Sequence, residues 1–155
     1  MATILWMDDY AGRGTEKRMG FDALIFFIEQ RGHKVVIVSS REQIEEALEK
    51  IKTYDFLILD IIMDPLTLST QSGHHYGGID ALEDLSRKGI KIPTIILSVM
   101  APRMIKEEAE RRGLDLENMG IKEFRRKGSI TPTELADNVE KNLPKKKRSA
   151  IGVPA

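Results

Sequence analysis

Polar side chains follow the apolar runs of this sequence, at the points where predicted strands end. They are two adjacent carboxylates after the first run, a carboxylate in the third, a hydroxyl at the end of the fourth and a lysine at the end of the fifth: Asp8, Asp9, Asp60, Ser98 and Lys127. In an open parallel sheet the carboxyl ends of the strands share one edge, and ligands bind there. We therefore expect these five side chains to converge on one site.

Three carboxylates held this close would repel one another, and burial would raise the cost of keeping them charged. A hard dication such as Mg²⁺ relieves that repulsion, because it accepts oxygen ligands and keeps several waters. Lys127 adds a compact positive charge that can hold a phosphate oxygen, and Ser98 adds a hydrogen-bond donor. Together these groups could support in-line transfer of a phosphoryl group to the Asp60 carboxylate.

Each of these residues also has a purely structural interpretation. Asp8 and Asp9 could cap a turn or a helix, and Ser98 or Lys127 alone would indicate nothing specific. Asp60 is harder to explain in this way, because an unpaired charge in an apolar stretch is costly to bury. The joint placement of these residues at strand ends favours a chemical site.

Five short apolar runs alternate with segments that have helical spacing. The central runs are continuous rather than alternating, which is typical of strands buried on both faces of a parallel sheet. The order therefore predicts an α/β fold, a doubly wound five-stranded parallel sheet with helices on both faces. The predicted strands are Ile4 to Met7, Val35 to Val38, Phe56 to Met63, Pro93 to Ser98 and Ile121 to Lys127.

Capping residues, prolines at the first helical position and terminal glycines mark the ends of the predicted helices. The second helix has two possible capping boxes, and the sequence does not choose between them. The first predicted helix runs from a cap at Thr15 to Gly32, and the second begins at Ser39 with Glu42 or at Ser40 with Gln43. The third runs from Ile79 to Lys88, the fourth begins at Pro102, and the last begins at a capping box from Thr131 to Glu134.

The segment from Asp64 to Gly78 is rich in Ser, Thr, Gly and His and has no hydrophobic period, so we predict a loop. Its adjacent His74 and His75 could suggest a metal site, but no third ligand is evident and a solvated loop is favoured. Residues 1–144 are predicted to form one domain. Residues 145–155 are predicted to form a basic, disordered tail.

Composition narrows the class of protein. The 155 residues carry a formal net charge of +0, which argues against a chain that coats nucleic acid. The absence of cysteine excludes disulfides, thiol catalysis and thiolate metal sites. No apolar run approaches the roughly 18 residues of a membrane span, and the first residues lack the basic start of a signal peptide. We therefore expect a cytoplasmic protein without membrane association.

Four segments together resemble the signature segments of response-regulator receiver domains, the CheY-like superfamily with a flavodoxin-like fold. The likeness covers roughly residues 3 to 143, and its segments are Ile4 to Asp9, Tyr54 to Met63, Pro93 to Ser98 and Phe124 to Lys127. The resemblance implies that Asp60 is the phosphoacceptor and that Mg²⁺ is the cofactor. It also implies that Asp9 binds the ion directly with help from Asp8, and that the backbone carbonyl of Ile62 completes the protein ligands.

The same resemblance implies roles for three further residues. Ser98 would follow the phosphoryl group, Phe124 would be the aromatic switch residue, and Lys127 would bind the phosphate. The sequence departs from the usual pattern at several places: Asp64 and Pro65 after the acceptor, the long loop to Gly78, Val99 where a small residue is usual, the extended segment from Arg112 to Gly120, and Gly128 where proline is usual after the lysine. Because Val99 is bulkier than the usual residue, we expect it to narrow access to Asp60.

The function implied is a phosphorylation-dependent signalling switch of a two-component system, not an enzyme beyond its own phosphorylation and dephosphorylation. A histidine kinase or a phosphotransfer protein would be the donor. The output would pass to a downstream protein target, with no direct binding of nucleic acid. Two alternatives stay open. Val99 and the long loop fit a receiver-like binding module that is never phosphorylated, whereas a Mg²⁺-dependent phosphohydrolase would normally have a second acid at the place of Ile62.

Overall fold

The structure is a computed structural model that describes residues 1–8, 15–63 and 76–149, with residues 15–20 described by their backbone. Strands and helices alternate along the described ranges. The strands are β1 (Thr3–Met7), β2 (Lys34–Val38), β3 (Phe56–Leu59), β4 (Thr94–Ser98) and β5 (Ile121–Arg126). The helices are α1 (Thr15–Gln30), α2 (Arg41–Glu49), α3 (Gly77–Arg87), α4 (Pro102–Arg111) and α5 (Pro132–Asn142).

The five strands form one parallel sheet in the order β2-β1-β3-β4-β5. Side chains of the central strands alternate between the two faces. Leu57 and Leu59 belong to the core beneath α2, α3 and α4, whereas Phe56 and Ile58 belong to the core beneath α1 and α5. Complete burial of each such side chain contributes about 1.5–3 kcal/mol. The predicted fold class, a doubly wound parallel sheet with helices on both faces, is confirmed.

Side-chain caps fix the ends of two helices. At the start of α2 the structure selects the second predicted capping box, because the Ser40 hydroxyl accepts from the Gln43 N–H at 3.1 Å and the Gln43 side chain accepts from the Ser40 N–H at 3.2 Å. At the start of α5, the Thr131 hydroxyl accepts from the Glu134 N–H at 3.1 Å. The Glu134 carboxylate pairs with Arg125 at 2.6 Å instead, so only half of that predicted capping box forms.

The third helix begins earlier than predicted. The loop was expected to reach Gly78, but α3 starts at Gly77. The N–H groups of Gly77 and Gly78 donate to the carbonyls of Met63 and Ile61, at 3.0 and 3.1 Å, and a parallel bridge joins Met63 to Tyr76. These bonds tie the first turn of α3 to the end of the β3 segment. Thr15, the predicted cap, is the first residue of α1, and its side chain lies outside what the structure describes, as does most of the predicted loop including His74 and His75.

The described chain continues past α5 into a 3-10 turn, Lys145–Lys147. The Arg148 guanidinium donates to the Leu143 carbonyl at 3.1 Å, and the Ser149 N–H donates to the Glu140 carboxylate at 3.0 Å. The predicted domain boundary after residue 144 stays a prediction, and residues 150–155 lie outside the described ranges. Across those ranges, no helix combines the length and the apolar character needed to cross a bilayer.

A buried pair closes the amino end of the sheet. His33 Nδ1 accepts from the Ala2 N–H at 3.0 Å, so the other ring nitrogen, Nε2, carries the proton and donates to Glu140 at 2.5 Å. Both side chains are almost completely buried. Glu140 thereby joins β1, the start of β2, α5 and the segment that follows α5.

Replacing Glu140 with alanine is expected to lower the free energy of unfolding by about 1–3 kcal/mol, because His33 and the Ser149 N–H would lose a buried acceptor. Urea denaturation followed by circular dichroism measures the change. The control is Glu110→Ala, which removes an exposed glutamate from α4 and should change stability by less than about 0.5 kcal/mol. Equal losses in the two variants would contradict the role given to Glu140.

Candidate functional site

Four of the five predicted polar residues meet at the carboxyl edge of the sheet. Asp8 follows β1, Asp60 follows β3, Ser98 ends β4 and Lys127 follows β5. Backbone hydrogen bonds hold these ends together: the Asp60 N–H donates to the Met7 carbonyl and the Lys127 N–H donates to the Ser98 carbonyl, both at 3.0 Å. The fifth residue, Asp9, lies outside the described ranges.

Lys127 bridges the two acids. Its Nζ lies 2.7 Å from Oδ2 of Asp8 and 2.7 Å from Oδ2 of Asp60. Asp8 is 0% exposed and Asp60 is 3% exposed, so both carboxylates are shielded from water. The same Nζ lies 5.3 Å from the centre of the Phe21 ring, within the range of a cation–π contact. The ammonium group is therefore held among two carboxylates and one aromatic face.

Burial raises the pKa of Asp60 above its ordinary value, and the neighbouring Asp8 carboxylate adds to this effect. Lys127 and a hydrogen bond from Ser98 act in the opposite direction without cancelling the rise. Burial would lower the pKa of Lys127, but Asp60 and Asp8 outweigh it and raise that pKa. The lysine therefore stays charged at neutral pH, and the ionised form of Asp60 is held at an energetic cost.

The described residues suit an oxygen-ligated dication. Two buried carboxylates share one lysine, so this group of three carries a net negative charge, and carboxylate and carbonyl oxygens are the ligands Mg²⁺ prefers. The Ile62 N–H donates to Asp60 Oδ1 at 3.2 Å, which places the Ile62 peptide beside the acceptor carboxylate. Among the described residues no cluster of three or more acid or histidine side chains forms a complete metal site, and the predicted direct ligand Asp9 is not one of them.

Phe124 lies on β5 opposite Ile96 of β4, half-buried against the core beneath α4. Lys106 of α4 places its Nζ 4.9 Å from the centre of the Phe124 ring. An open cavity of about 500 Å³ lies between α4 and β5, and its lining includes Lys106, Ala109, Leu114, Leu116, Ile121 and Phe124. The predicted switch residue is therefore beside free volume rather than locked in a filled core.

Val99, which was expected to narrow access to Asp60, is 59% exposed. Its effect on the acceptor stays a prediction. After Lys127 the chain turns through Gly128, whose φ of +83° is a backbone conformation that favours glycine. Gly128 thus occupies the position directly after Lys127, where the receiver resemblance leads one to expect proline.

Two residues at the site were not predicted from the sequence. Gly78 packs against the backbone that carries Asp60, because a Cβ added to it would overlap the Asp60 carbonyl oxygen and lie 2.6 Å from the Ile61 Cα. The Gly77-Gly78 pair ahead of an apolar helical pattern was the available sequence indication. Phe21, the ring beneath Lys127, has no pattern that separates it from an ordinary core aromatic.

Several solved structures with a similar fold are response regulators or their receiver domains. The chain is similar to the receiver domain of a Francisella response regulator, with a TM-score of 0.60 and 23% identity over 92% of this chain and 96% of that one. It is also similar to the signal receiver domain of a putative Luxo repressor protein from Vibrio parahaemolyticus, with a TM-score of 0.62 and 16% identity over 91% and 88% of the two chains. A third is a DNA-binding response regulator of the LuxR family from Staphylococcus aureus, with a TM-score of 0.61 and 16% identity over 92% and 98%.

No protein-family model and no curated protein sequence matches the chain. At the identities found among solved structures, the likeness shows the fold. The chain therefore has the fold of response-regulator receiver domains over more than nine tenths of its length, and the resemblance stated from the sequence is confirmed at that level.

Replacing Asp60 with asparagine is expected to raise the free energy of unfolding at neutral pH. The folded-state pKa of Asp60 is raised above the ordinary value of 3.8, so its ionisation destabilises the fold by about 1.4 kcal/mol for each unit of elevation. The gain should shrink as the pH falls through the folded-state pKa and vanish below 3.8, where the carboxyl group is protonated in both states.

Urea unfolding of both proteins across a series of pH values measures that difference. Glu110→Gln, which neutralises an exposed carboxylate on α4, is the control and should show a much smaller pH-dependent change. A difference between Asp60→Asn and the unaltered protein that is constant with pH, or that grows toward acid, would show that the pKa of Asp60 is not raised.

Replacing Gly78 with alanine is expected to lower stability by about 1–3 kcal/mol, because the added methyl group must displace the Asp60–Ile61 backbone. Gly89→Ala is the control: its Cβ meets open space, but its φ of +66° is unfavourable for alanine, so it also lowers stability. Amide NMR shifts of Asp60 to Met63 should move in the first variant and not in the second. Unchanged shifts in both variants would contradict the contact assigned to Gly78.

Proposed function

We propose that this protein is a phosphorylation-dependent signalling switch of the two-component type, in which Asp60 accepts a phosphoryl group with the help of Mg²⁺. The observation that carries the proposal is the Lys127 bridge, with Nζ 2.7 Å from a carboxylate oxygen of both Asp8 and Asp60. Buried ion pairs contribute little to stability once their desolvation is counted, so stability alone is a weak reason to keep this one. The receiver fold of the chain supports the same proposal.

In the proposed reaction an oxygen of the Asp60 carboxylate attacks the phosphorus of the donor, in line with the bond that breaks. For a phosphohistidine donor that bond is P–N, and for a small acyl phosphate it is P–O. The donor keeps the electron pair of the broken bond. Lys127 then holds a phosphoryl oxygen where it had held the carboxylate, and the Ser98 hydroxyl donates a hydrogen bond to another phosphoryl oxygen.

Asp8, Asp60 and the Ile62 carbonyl would hold Mg²⁺ together with Asp9, the ligand that the receiver resemblance implies. When bound, the ion would neutralise the repulsion between the acids and the incoming phosphoryl oxygens. The chain's own groups keep the acceptor ready: the Ile62 N–H holds Asp60 Oδ1 at 3.2 Å while Lys127 holds Oδ2. The acceptor carboxylate is thus oriented before the donor arrives, which lowers the entropic cost of the reaction.

The change of charge at Asp60 would reach the surface through Ser98 and Phe124. The Ser98 hydroxyl accepts from the Met100 N–H at 3.2 Å, so a turn toward the phosphoryl group alters the start of α4. Phe124 has the neighbouring cavity of about 500 Å³ to move in, and its contact with Lys106 would change as it moves. The face formed by α4 and β5 is therefore the element whose two arrangements would report phosphorylation.

The partners that follow from this function are proteins. A histidine kinase or a phosphotransfer protein would supply the phosphoryl group, and a downstream protein would bind the α4–β5 face in one of its two states. This proposal places the protein in the cytoplasm, where such donors act, and assigns it no direct contact with nucleic acid. It assigns no enzymatic activity beyond the loading and loss of its own phosphoryl group.

A receiver-like binding module that is never phosphorylated is the second candidate. The observation in its favour is that Lys127 already pairs with both Asp8 and Asp60, so the described acids share a cation without a phosphoryl group. A phosphohydrolase is less well supported, because half-buried Ile62 stands where a second acid would act as acid and base. The three candidates differ in whether a phosphoryl group is taken up and in whether it is retained.

Acetyl phosphate with Mg²⁺ is expected to add one phosphoryl group to the protein, as measured by intact mass. Asp60→Asn should abolish the addition, whereas Asp84→Asn, which neutralises an acid on the surface of α3, should leave its rate within about twofold. Chelation of the ion should stop loading of the unaltered protein. An adduct that accumulates on the protein supports the switch, release of inorganic phosphate without an accumulating adduct would show a phosphohydrolase, and neither adduct nor release would leave the binding module as the function.

A further inference from the structure

Three carboxylates from two helices converge on one arginine. Arg112 Nη1 lies 2.8 Å from Asp80 and 2.9 Å from Glu83, both on α3, and its Nε lies 2.9 Å from Glu108 on α4. The Arg112 side chain is 14% exposed, although it follows directly after the last residue of α4. Its neighbour Arg111 pairs with the same Glu108 within α4.

The guanidinium suits this position because its nitrogens form a rigid planar fork that can serve acids on two sides at once. Burial would lower the pKa of Arg112, but hydrogen bonds with Asp80, Glu108 and Glu83 outweigh it and raise that pKa. Burial would likewise raise the pKa of Glu108, but Arg111 and Arg112 outweigh it and lower that pKa. The link between the helices is therefore charged at neutral pH.

The first turn of α3, which Arg112 holds, is also the turn that touches the acceptor. Gly78 stands two residues before Asp80, and its N–H donates to the Ile61 carbonyl at 3.1 Å. Its Cα packs so closely on Asp60 and Ile61 that no side chain fits between them. Since a close-packed interior transmits small displacements, a shift of α3 must move the backbone that carries Asp60.

The other end of α4 lies beside the predicted hydroxyl switch. Met100, the residue before the Ala101 cap of α4, donates its N–H to the Ser98 hydroxyl at 3.2 Å. A closed ring of contacts therefore runs from Asp60 through Gly78 to α3, across Arg112 to α4, and back along α4 to Ser98. Arg112 supplies the charged side-chain link between the two helices in this ring.

We propose that Arg112 is a positioning residue for phosphoryl transfer to Asp60, acting by holding the first turn of α3, and with it the Asp60–Met63 backbone, in place through its bonds from α4. This inference rests on the proposed function of Asp60 and names a residue that acts on the same site from a distance. Arg112 touches none of the reacting atoms. It sets the geometry in which the acceptor carboxylate and the Ile62 peptide meet the donor.

The test compares two neighbouring arginines. Arg112→Lys keeps the charge but loses the planar fork, in which Nη1 serves the acids of α3 while a separate nitrogen, Nε, serves Glu108 of α4. Arg111→Met is the matched control. In the described chain Arg111 forms an ion pair with Glu108 and none with an acid of α3, and its side chain is 70% exposed. Arg112→Met serves as a stronger variant, and the lysine variant keeps the test available if the methionine variant does not fold.

Two measurements are made on each protein. Single-turnover loading with acetyl phosphate and Mg²⁺ gives the maximal rate and the half-saturating donor concentration, and amide NMR without donor reports the Asp60–Met63 backbone. In Arg112→Lys we expect the maximal rate to fall about tenfold with the half-saturating concentration unchanged, and the Asp60–Met63 amide shifts to move. Arg111→Met should change the maximal rate by no more than about twofold, and its Asp60–Met63 amide shifts should stay within the noise.

The outcomes separate this inference from the proposed function. If the unaltered protein loads Asp60 and Arg112→Lys loads it equally fast, the positioning role is wrong. If Arg112→Lys and Arg111→Met slow loading equally, the effect is general and the role is again wrong. If the unaltered protein takes up no phosphoryl group, the proposed function fails. The NMR comparison still decides in that case whether Arg112 positions the Asp60 backbone, since unmoved amides would overturn that claim as well.

Discussion

The ammonium group of Lys127 lies 2.7 Å from carboxylate oxygens of both Asp8 and Asp60, and water reaches almost none of either acid. One cation for two buried carboxylates leaves negative charge uncompensated within this group, and desolvation of each ion costs several kcal/mol. The raised pKa of Asp60 is the consequence, because burial outweighs what Lys127 returns. A site in this condition gains from any further positive charge that enters it, and in the proposed reaction Lys127 would exchange one oxyanion for another without moving far.

The sheet is what holds these groups together at that cost. β1 and β3 are adjacent and in parallel register, with Met7 opposite Leu59, so Asp8 and Asp60 leave their strands side by side. The first turn of α3 also lies at this edge, where Gly78 packs directly on the Asp60–Ile61 backbone. Apolar side chains fill both faces of the sheet below this edge. The strands therefore cannot slide to relieve the repulsion of the acids, and the strain stays at the edge where a ligand can relieve it.

The periodic parts of the sequence predicted the fold well, because continuous apolar runs that alternate with helical segments leave few other arrangements. The same reasoning predicted the meeting of Asp8, Asp60, Ser98 and Lys127, since strand ends in a parallel sheet share an edge. Reasoning from periodicity and strand ends could not predict the side-chain contacts between different helices and strands. Gly78 was placed in a loop because its segment is rich in Ser, Thr, Gly and His and has no hydrophobic period, whereas the packing of Gly78 against Asp60 puts it in the first turn of α3. Glu134 matched a capping box, but Arg125 from the neighbouring strand competes for its carboxylate. Arg112 stands four residues after Glu108, an ordinary helical pairing, but no pattern indicates its partners on α3, which lie 29 and 32 residues earlier in the chain.

The two ends of the sheet treat buried charge in opposite ways. At the amino end, Glu140 accepts from His33 and from the Ser149 N–H, and together with the bond from the Ala2 N–H to His33 these bonds join four segments of the chain. At the carboxyl end, Asp60 is short of positive charge and its ionised form is disfavoured. Natural proteins carry destabilised groups where function requires them and compensate elsewhere in the fold. The hydrogen bonds at the amino end stabilise the fold, and this stability allows the carboxyl edge to keep the destabilised Asp60 carboxylate. In the proposed switch, a new charge on Asp60 would change the contacts of Ser98, Phe124 and α4 before it threatened the fold as a whole.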